Sequence, residues 1–193
     1  MNKKIILASG SPRRRELLSS LGLDFEVIKS DFEEDIENKA FSNELIITLA
    51  EEKVKDVIKK TNTPSIIIGA DTVVIIDNQI LGKPVDKKDA FKMLRQLSGR
   101  THEVVTAIAV FDTIENKMKS EAVTSKVTFK ALTDEEINNY IKTGEPMDKA
   151  GSYGIQAYGA LFVSSINGCY FNIVGLSIQR LSVILKEFGI NIL

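Results

Sequence analysis

The chain has 193 residues, of which 44% are hydrophobic, enough to bury one sizeable core as a single domain over residues 1–193. Its 25 basic and 26 acidic residues give a net charge of -1, which argues against a nucleic-acid polymer as partner, because such binders usually carry a basic excess. A single cysteine excludes an internal disulfide, and no apolar run approaches the ~18 residues of a membrane span, so we expect a cytoplasmic protein.

Strand and helix patterns alternate along the chain, and they predict an α/β fold with a mixed twisted sheet, flanking helices and two lobes around a central cleft. Short apolar or alternating runs predict strands at residues 4–8, 25–29, 65–70, 102–111, 120–132 and 161–163, and a hairpin at 73–81. Amphipathic patterns and capping residues predict helices at residues 14–21, 42–60, 86–97, 133–143 and 176–188.

Three consecutive arginines follow the first predicted strand and a Ser/Gly turn. Ser11 is a good N-cap and Pro12 suits the first helical position, so Arg13, Arg14 and Arg15 fall in the first turn of a helix. Because the helix macrodipole is already positive there, each cation costs up to about 1 kcal/mol. The pattern indicates a binding site for an anion such as phosphate, and the alternative is an arginine-rich solvated face.

Asp71 interrupts an otherwise apolar run that is typical of a central strand. A carboxylate in such a place is rarely buried unless it is paired, hydrogen-bonded or bound to a metal. Gly69 lets another part of the backbone pass close to this position. We therefore favour a functional role for Asp71, the alternative being an aspartate that ends the strand and starts a turn.

Two lysines have less distinctive surroundings. Lys53 lies beside the apolar stripe of its predicted helix, and on spacing alone a snorkelling lysine at the edge of the core is the simpler interpretation. Lys83 follows the predicted hairpin. It either reaches back toward the group that Asp71 faces or is solvated.

An acidic run contains Glu33 and Glu34. Such a run is usually a solvated loop. Its place after the second strand would alternatively let a carboxylate join Asp71 on a hard cation such as Mg²⁺, which prefers a few carboxylates together with phosphate oxygens.

Gln156 lies in the glycine-rich stretch 151–159. Its amide carries both a donor and an acceptor, as a side chain that reads the edge of a nucleobase requires, although glycine spacing alone is weak support. The only histidine, His102, lacks a second histidine for a zinc site, and we interpret it as a structural residue or one at the rim of a site.

Six segments occur in an order and spacing that resemble the Maf family of nucleoside triphosphate pyrophosphatases, from about Ile5 to the final helix. They are LASGSPRRRELL, GADTVV, LGKP, LSGRTHEVVTA, EPMDKAGSYGIQ and NGCYFNIVGL. The resemblance implies a two-lobed fold around a nucleotide cleft, compatible with a homodimer, and hydrolysis of a nucleoside triphosphate to the monophosphate and pyrophosphate with Mg²⁺ or Mn²⁺. Ser177 stands where the family usually has proline, and we expect little effect on the chemistry.

The resemblance also implies roles for individual residues. Asp71 would be the proton acceptor that orients or deprotonates the attacking water, with Arg14 and Lys83 as its catalytic partners. The implied substrate-binding residues are Ser9, Arg13, Arg14, Lys53, Thr72, Lys83 and Gln156. The implied metal ligands are Glu34, Asp71 and Glu33.

Arg13, Thr72 and Gln156 resemble the branch of the family that acts on dTTP, UTP and related modified pyrimidine nucleotides. The branch that prefers a methylated guanine nucleotide carries other residues at these positions, which argues against an enzyme for damaged purine nucleotides. The leading alternative is a non-catalytic nucleotide-binding regulator of cell division and septum formation. Because Asp71 and the metal carboxylate are both present, we place catalysis first.

Overall fold

Residues 3–33 and 40–193 are described by this computed structural model, and within them seven strands form one sheet. The strands are β1 (Lys4–Leu7), β2 (Glu26–Val27), β3 (Ser65–Ile76), β4 (Gln79–Leu81), β5 (Thr101–Asp112), β6 (Lys117–Phe129) and β7 (Val163–Asn167). The α-helices are α1 (Pro12–Ser19), α2 (Asn43–Ile58), α3 (Lys87–Leu97), α4 (Asp134–Lys142), α5 (Tyr170–Val174) and α6 (Ile178–Glu187). Short 3₁₀ helices span Glu145–Asp148, Ala150–Ser152 and Ala157–Phe162.

The strand order across the sheet is β2-β1-β3-β5-β6-β7, and β4 pairs with the far end of β3. β1 is parallel to both β2 and β3, whereas the pairs formed by β3 with β4 and β5, and by β6 with β5 and β7, are antiparallel. The predicted mixed α/β fold with flanking helices is thereby confirmed. In the described part of the chain, no helix has the length and apolar character needed to cross a bilayer.

β3 is longer than the sequence predicts. The expected strand at 65–70 and the first arm of the expected hairpin are one continuous strand, because Asp71 pairs with Ala107 of β5 and Thr72 pairs with Thr106. Asp71 therefore lies in the middle of a buried strand. The alternative, in which it ends a strand and starts a turn, is wrong.

Local signals in the sequence set several boundaries as expected. The Ser42 hydroxyl accepts a hydrogen bond from Leu45 N and caps α2. Thr133 and Glu136 form a reciprocal capping box at the start of α4. Within the predicted hairpin at 73–81, a turn at residues 77–78 joins β3 to β4 with both residues at positive φ, as a tight hairpin requires.

Two predictions near the C-terminus are wrong in detail. The helix expected over 176–188 starts at Ile178, and a separate short helix, α5, ends before Gly175, whose φ of 126° breaks the helical path. Of the strand expected at 161–163, the first two residues end a 3₁₀ helix, and only Val163 belongs to a strand, as the first residue of β7.

β3 is shared by the two lobes of the fold. Its odd-numbered side chains, such as Ile67 and Val73, pack in one core with α2. On the opposite face Ile68 packs with α1 and α6, whereas Val74 packs with α3 and α4. This face therefore changes its packing partners between Ala70 and Val74, and the cleft opens at that point.

Candidate active site

A cavity of about 720 Å³ lies where β3 passes from one lobe to the other. Its wall is built from the β1–α1 loop, α2, the middle of β3, the loop after β4, the 3₁₀ segments and the α5–α6 connection. Eight of the ten residues predicted for the site line it, namely Ser9, Arg13, Arg14, Lys53, Asp71, Thr72, Lys83 and Gln156. The fold thus brings together residues that are up to 147 positions apart in the sequence.

The wall of the cavity is predominantly basic. Among the described residues, the basic side chains that line it are Arg13, Arg14, Lys29, Lys53, Lys83 and Lys149. The carboxylates that line it are Glu16, Asp71, Glu145 and Asp148. In a chain whose net charge is -1, this local excess of cations favours an anionic ligand.

Lys53 and Asp71 form a buried ion pair. The Lys53 Nζ donates a hydrogen bond to Asp71 Oδ1, and the two residues are only 8% and 3% exposed. Gly69 makes this pairing possible, because a Cβ at that position would lie 2.7 Å from the Ala50 carbonyl oxygen of α2. α2 therefore packs directly on β3, and the snorkelling interpretation of Lys53 is wrong.

Arg14 connects three elements of the cavity wall. Its Nη1 donates to Ser9 Oγ at 3.2 Å, its Nε to the Gly175 carbonyl oxygen at 2.9 Å and its Nη2 to Thr72 Oγ1 at 3.0 Å. The Thr72 hydroxyl also lies 2.9 Å from Thr106 Oγ1 of β5. The guanidinium is thus oriented by the β1–α1 loop, β3 and the α5–α6 connection together.

The first turn of α1 presents two of its three arginines to the cavity. Arg13 and Arg14 line it, whereas Arg15 is exposed and does not. Arg13 forms an ion pair with Asp148 at 3.5 Å, which joins α1 to the 3₁₀ helix Glu145–Asp148. Partial burial opposes ionisation of Asp148, but the hydrogen bond from Lys149 and the charge of Arg13 hold its pKa below the ordinary value.

Lys83 and Gln156 lie at more open positions of the wall. Both side chains are exposed, and Gln156 occupies the N-cap position of the 3₁₀ helix Ala157–Phe162 without capping it through its own side chain. Within the described residues, the amide of Gln156 is therefore directed to no protein partner. It is available to a ligand in the cavity.

The predicted metal ligands separate in the structure. Asp71 lines the cavity, Glu33 is exposed and is not part of the described wall, and Glu34 lies outside the described residues. No cluster of three or more metal-ligating side chains occurs within residues 3–33 and 40–193. A carboxylate such as Asp71 nevertheless fits a hard cation that takes its other ligands from phosphate oxygens and water.

His102 does not line the cavity but contacts Tyr153, which does. It is 2% exposed, its Nε2 lies 2.8 Å from the hydroxyl of Tyr153, which lines the cavity, and its ring packs edge-on against Phe129. Burial lowers the pKa of His102 from 6.5 to about 4 and raises that of Tyr153. The imidazole is therefore neutral at physiological pH, in agreement with a structural role.

Comparison with known families gives a match to the description "Maf-like protein" over residues 4–188. The chain belongs to the Maf family. A protein of Acetivibrio thermocellus named dTTP/UTP pyrophosphatase is 50% identical over 98% of both chains. A protein of the same name from Alkaliphilus oremlandii is 52% identical over 99% of this chain and all of its own length.

Among solved structures, the Maf-family chain has a TM-score of 0.47 and 15% identity to one described as "Nucleoside-triphosphatase / dITP/XTP pyrophosphatase" from Mycobacterium abscessus. That likeness covers 95% of this chain and 94% of the other. At this level it supports no conclusion about function.

Several residues of the Maf-family cavity are absent from the sequence-based site. Lys29, Glu145, Asp148, Lys149 and Tyr153 all line it. Four of them belong to the segment EPMDKAGSYGIQ, of which only Gln156 was assigned a role. The acidic and basic residues of that segment resemble a solvated turn when read in isolation, and only the fold brings them to the cavity wall.

Proposed function

We propose that this chain hydrolyses dTTP, UTP and related modified pyrimidine nucleotides to the monophosphate and pyrophosphate. The observation that carries the proposal is the convergence of eight predicted site residues on one basic cavity, with Asp71 buried in its wall beside Lys53. The names of relatives about half identical over nearly the whole chain support the same activity.

In this proposal Asp71 is the proton acceptor. A water molecule attacks the α-phosphorus, its proton passes to the Asp71 carboxylate, and the bond from the α-phosphorus to the bridging oxygen breaks so that pyrophosphate leaves. The Lys53 ammonium beside Asp71 stabilises the carboxylate anion, which is the form able to accept a proton.

The basic side chains bind the triphosphate and stabilise the charge that develops on it. A triphosphate with one bound divalent ion keeps about two to three negative charges. Arg13 and Arg14 at the N-terminus of α1, together with Lys53 and Lys83, supply cations on different sides of the cavity. Arg14 in particular is held in place by Ser9 and Thr72, so little reorganisation is needed when the phosphates bind.

Asp71 is the predicted metal ligand that lines the cavity, and it would hold Mg²⁺ or Mn²⁺ together with the other predicted ligands, Glu33 and Glu34. When bound, the ion would neutralise charge on the phosphate oxygens. The donor set agrees with this, because Mg²⁺ commonly takes one or two protein carboxylates and completes its shell with substrate oxygens and water.

Gln156 would select the base. Its amide can accept from N3–H and donate to O4 of thymine or uracil, two groups presented side by side on one edge of the ring. Cytosine presents a donor where these bases have O4 and an unprotonated N3, so the same amide orientation would leave both contacts mismatched. A site built on such hydrogen bonds rejects the wrong edge strongly.

The experiment that tests this function identifies the products and the bond that breaks. We expect dTTP or UTP in ¹⁸O-labelled water to yield pyrophosphate and a monophosphate that carries the label. Release of inorganic phosphate, or label in the pyrophosphate, would place the attack on another phosphorus and refute the proposed reaction. Nucleotide binding without turnover would favour the regulatory alternative.

A further inference from the structure

The loop that carries Gln156 has a strained backbone beside that residue. Ala157 lies at φ 55°, in the left-handed region that residues with a side chain seldom adopt. The backbone bends at Ile155 and Gln156, and Ile155 is buried whereas Gln156 is exposed. Such a conformation persists only where surrounding contacts hold it.

Glu145 supplies those contacts on the C-terminal side of the loop. Its Oε2 accepts a hydrogen bond from Tyr158 N and its Oε1 accepts one from Gly159 N, both at 3.1 Å. These are N–H groups in the first turn of the 3₁₀ helix Ala157–Phe162, which a side chain at the N-cap normally satisfies. Gln156 holds that N-cap position and does not cap the helix, so Glu145 performs the capping from another segment.

Tyr140 extends the same support to the N-terminal side of the loop. Its hydroxyl donates to Glu145 Oε1 at 2.9 Å and accepts from Gly154 N at 3.2 Å. The ring is 4% exposed and packs edge-on against Phe162. The Tyr140 hydroxyl and the Glu145 carboxylate therefore hydrogen-bond to the backbone of the loop on both sides of Gln156.

The packing around this pair leaves little room for another arrangement. A Cβ at Gly159 would lie 2.9 Å from the Tyr140 hydroxyl, and a Cβ at Gly154 would lie 2.7 Å from Cε of Lys149. Lys149 in turn donates from Nζ to the Glu145 carbonyl oxygen at 2.7 Å. The loop thus packs closely against Tyr140 and Lys149.

We propose that Glu145, assisted by Tyr140, is a positioning residue that sets base selectivity through Gln156. By capping the 3₁₀ helix in place of Gln156, Glu145 leaves the amide free for the ligand. By fixing the loop on both sides, the pair sets the direction in which that amide points. The inference rests on the proposed function, since it concerns how the same cavity distinguishes pyrimidine bases.

The test measures kcat/KM for UTP and CTP in the intact protein and compares their ratio among variants. Glu145→Gln replaces one accepting oxygen by an NH₂ group that cannot accept from an N–H. We expect both this variant and Gln156→Ala to lower the UTP/CTP ratio by about tenfold, because the net loss of a single neutral hydrogen bond is worth up to roughly a factor of ten. The charge-matched control Glu135→Gln alters an exposed residue of α4 and should keep the wild-type ratio.

The double variant Glu145→Gln/Gln156→Ala separates positioning from general support of the fold. If Glu145 acts through Gln156, the double variant has the same ratio as Gln156→Ala alone. A ratio that falls further, or an unchanged ratio in either single variant, would overturn the inference. Tyr140→Phe removes only the hydroxyl and provides the same comparison if Glu145→Gln does not fold.

The outcome for the wild-type protein separates the two proposals. Wild-type protein that hydrolyses UTP selectively, while Glu145→Gln keeps that selectivity, would overturn the inference and leave the proposed function standing. Wild-type protein that hydrolyses neither nucleotide would overturn both.

Discussion

Lys53 of α2 donates a hydrogen bond to Asp71 in the middle of β3, and both side chains are buried in the wall of the cavity. The pair joins a helix to the central strand at the point where the two lobes meet. It also places an ammonium directly against the carboxylate that we propose as the proton acceptor. Stability and chemistry are therefore coupled at this contact.

The coupling predicts a large effect when the lysine is removed. Lys53→Met should lower the free energy of unfolding by about 3–5 kcal/mol, because the buried Asp71 carboxylate loses the ammonium that donates a hydrogen bond to it. The exposed Lys55 of the same helix is the matched control, and Lys55→Met should change stability by less than about 0.5 kcal/mol. Urea unfolding of both variants measures the difference.

Repeating the Lys53→Met substitution in the Asp71→Asn protein tests whether the loss of stability comes from the Lys53–Asp71 ion pair. In the Asp71→Asn protein the buried negative charge is gone, so Lys53→Met should be less destabilising there by about 1–3 kcal/mol. Equal losses in the two backgrounds would mean that Lys53 stabilises the fold independently of Asp71.

The hydrogen bond between Arg14 and Thr72 predicts a separate effect on turnover. Thr72→Val has nearly the same shape but loses the hydroxyl that accepts from Arg14 Nη2. A hydrogen bond to a charged group is worth about 1.5–3 kcal/mol, so kcat/KM for dTTP should fall about tenfold or more. Thr72→Ser keeps the hydroxyl and should stay within a few-fold of wild type. Similar kinetics for the valine and serine variants would refute an orienting role for this contact.

Burial of His102 predicts a pH dependence of stability. Its pKa is lowered to about 4 in the folded protein, against 6.5 when it is unperturbed, so between these values the unfolded state binds the extra proton. The free energy of unfolding should therefore fall as the pH is lowered through this window, by about 3 kcal/mol from this residue.

Urea unfolding at several pH values checks this prediction. His102→Gln cannot take up that proton, so its stability should depend less steeply on pH between pH 6.5 and about 4. An identical slope in the variant and in the wild type would show that other groups cause the acid sensitivity.

The sequence indicates which residues meet at the cavity more clearly than it indicates the backbone that carries them. Asp71 is recognisable because a carboxylate interrupts an apolar strand, and Arg14 because a cation occupies a positive helix terminus. In both cases a residue type stands where the local sequence pattern disfavours it. Such a conflict can be recognised from the sequence alone, without a structure. The continuation of β3 through Asp71 is not local, because it depends on pairing with β5.

Long-range contacts account for what the sequence analysis missed. In the sequence Lys53 resembles a snorkelling lysine, because nothing local shows that Gly69 lets α2 pack directly on β3. Glu145 likewise resembles a turn residue, because its hydrogen bond from Gly159 N depends on how the following loop folds. The predicted homodimer, the cytoplasmic location and the metal ligands Glu33 and Glu34 stay predictions.

The most direct test of the central claim is pyrophosphate release from a panel of nucleoside triphosphates, with Mg²⁺ or Mn²⁺, by the wild-type and Asp71→Asn proteins. We predict strong release from dTTP and UTP, weak release from CTP and the purine nucleotides, and a loss of about 10²-fold or more in the variant with nucleotide binding retained. Near-normal turnover by Asp71→Asn would contradict the assignment of the proton acceptor. No release by the wild-type protein from any nucleotide would contradict the proposed function itself.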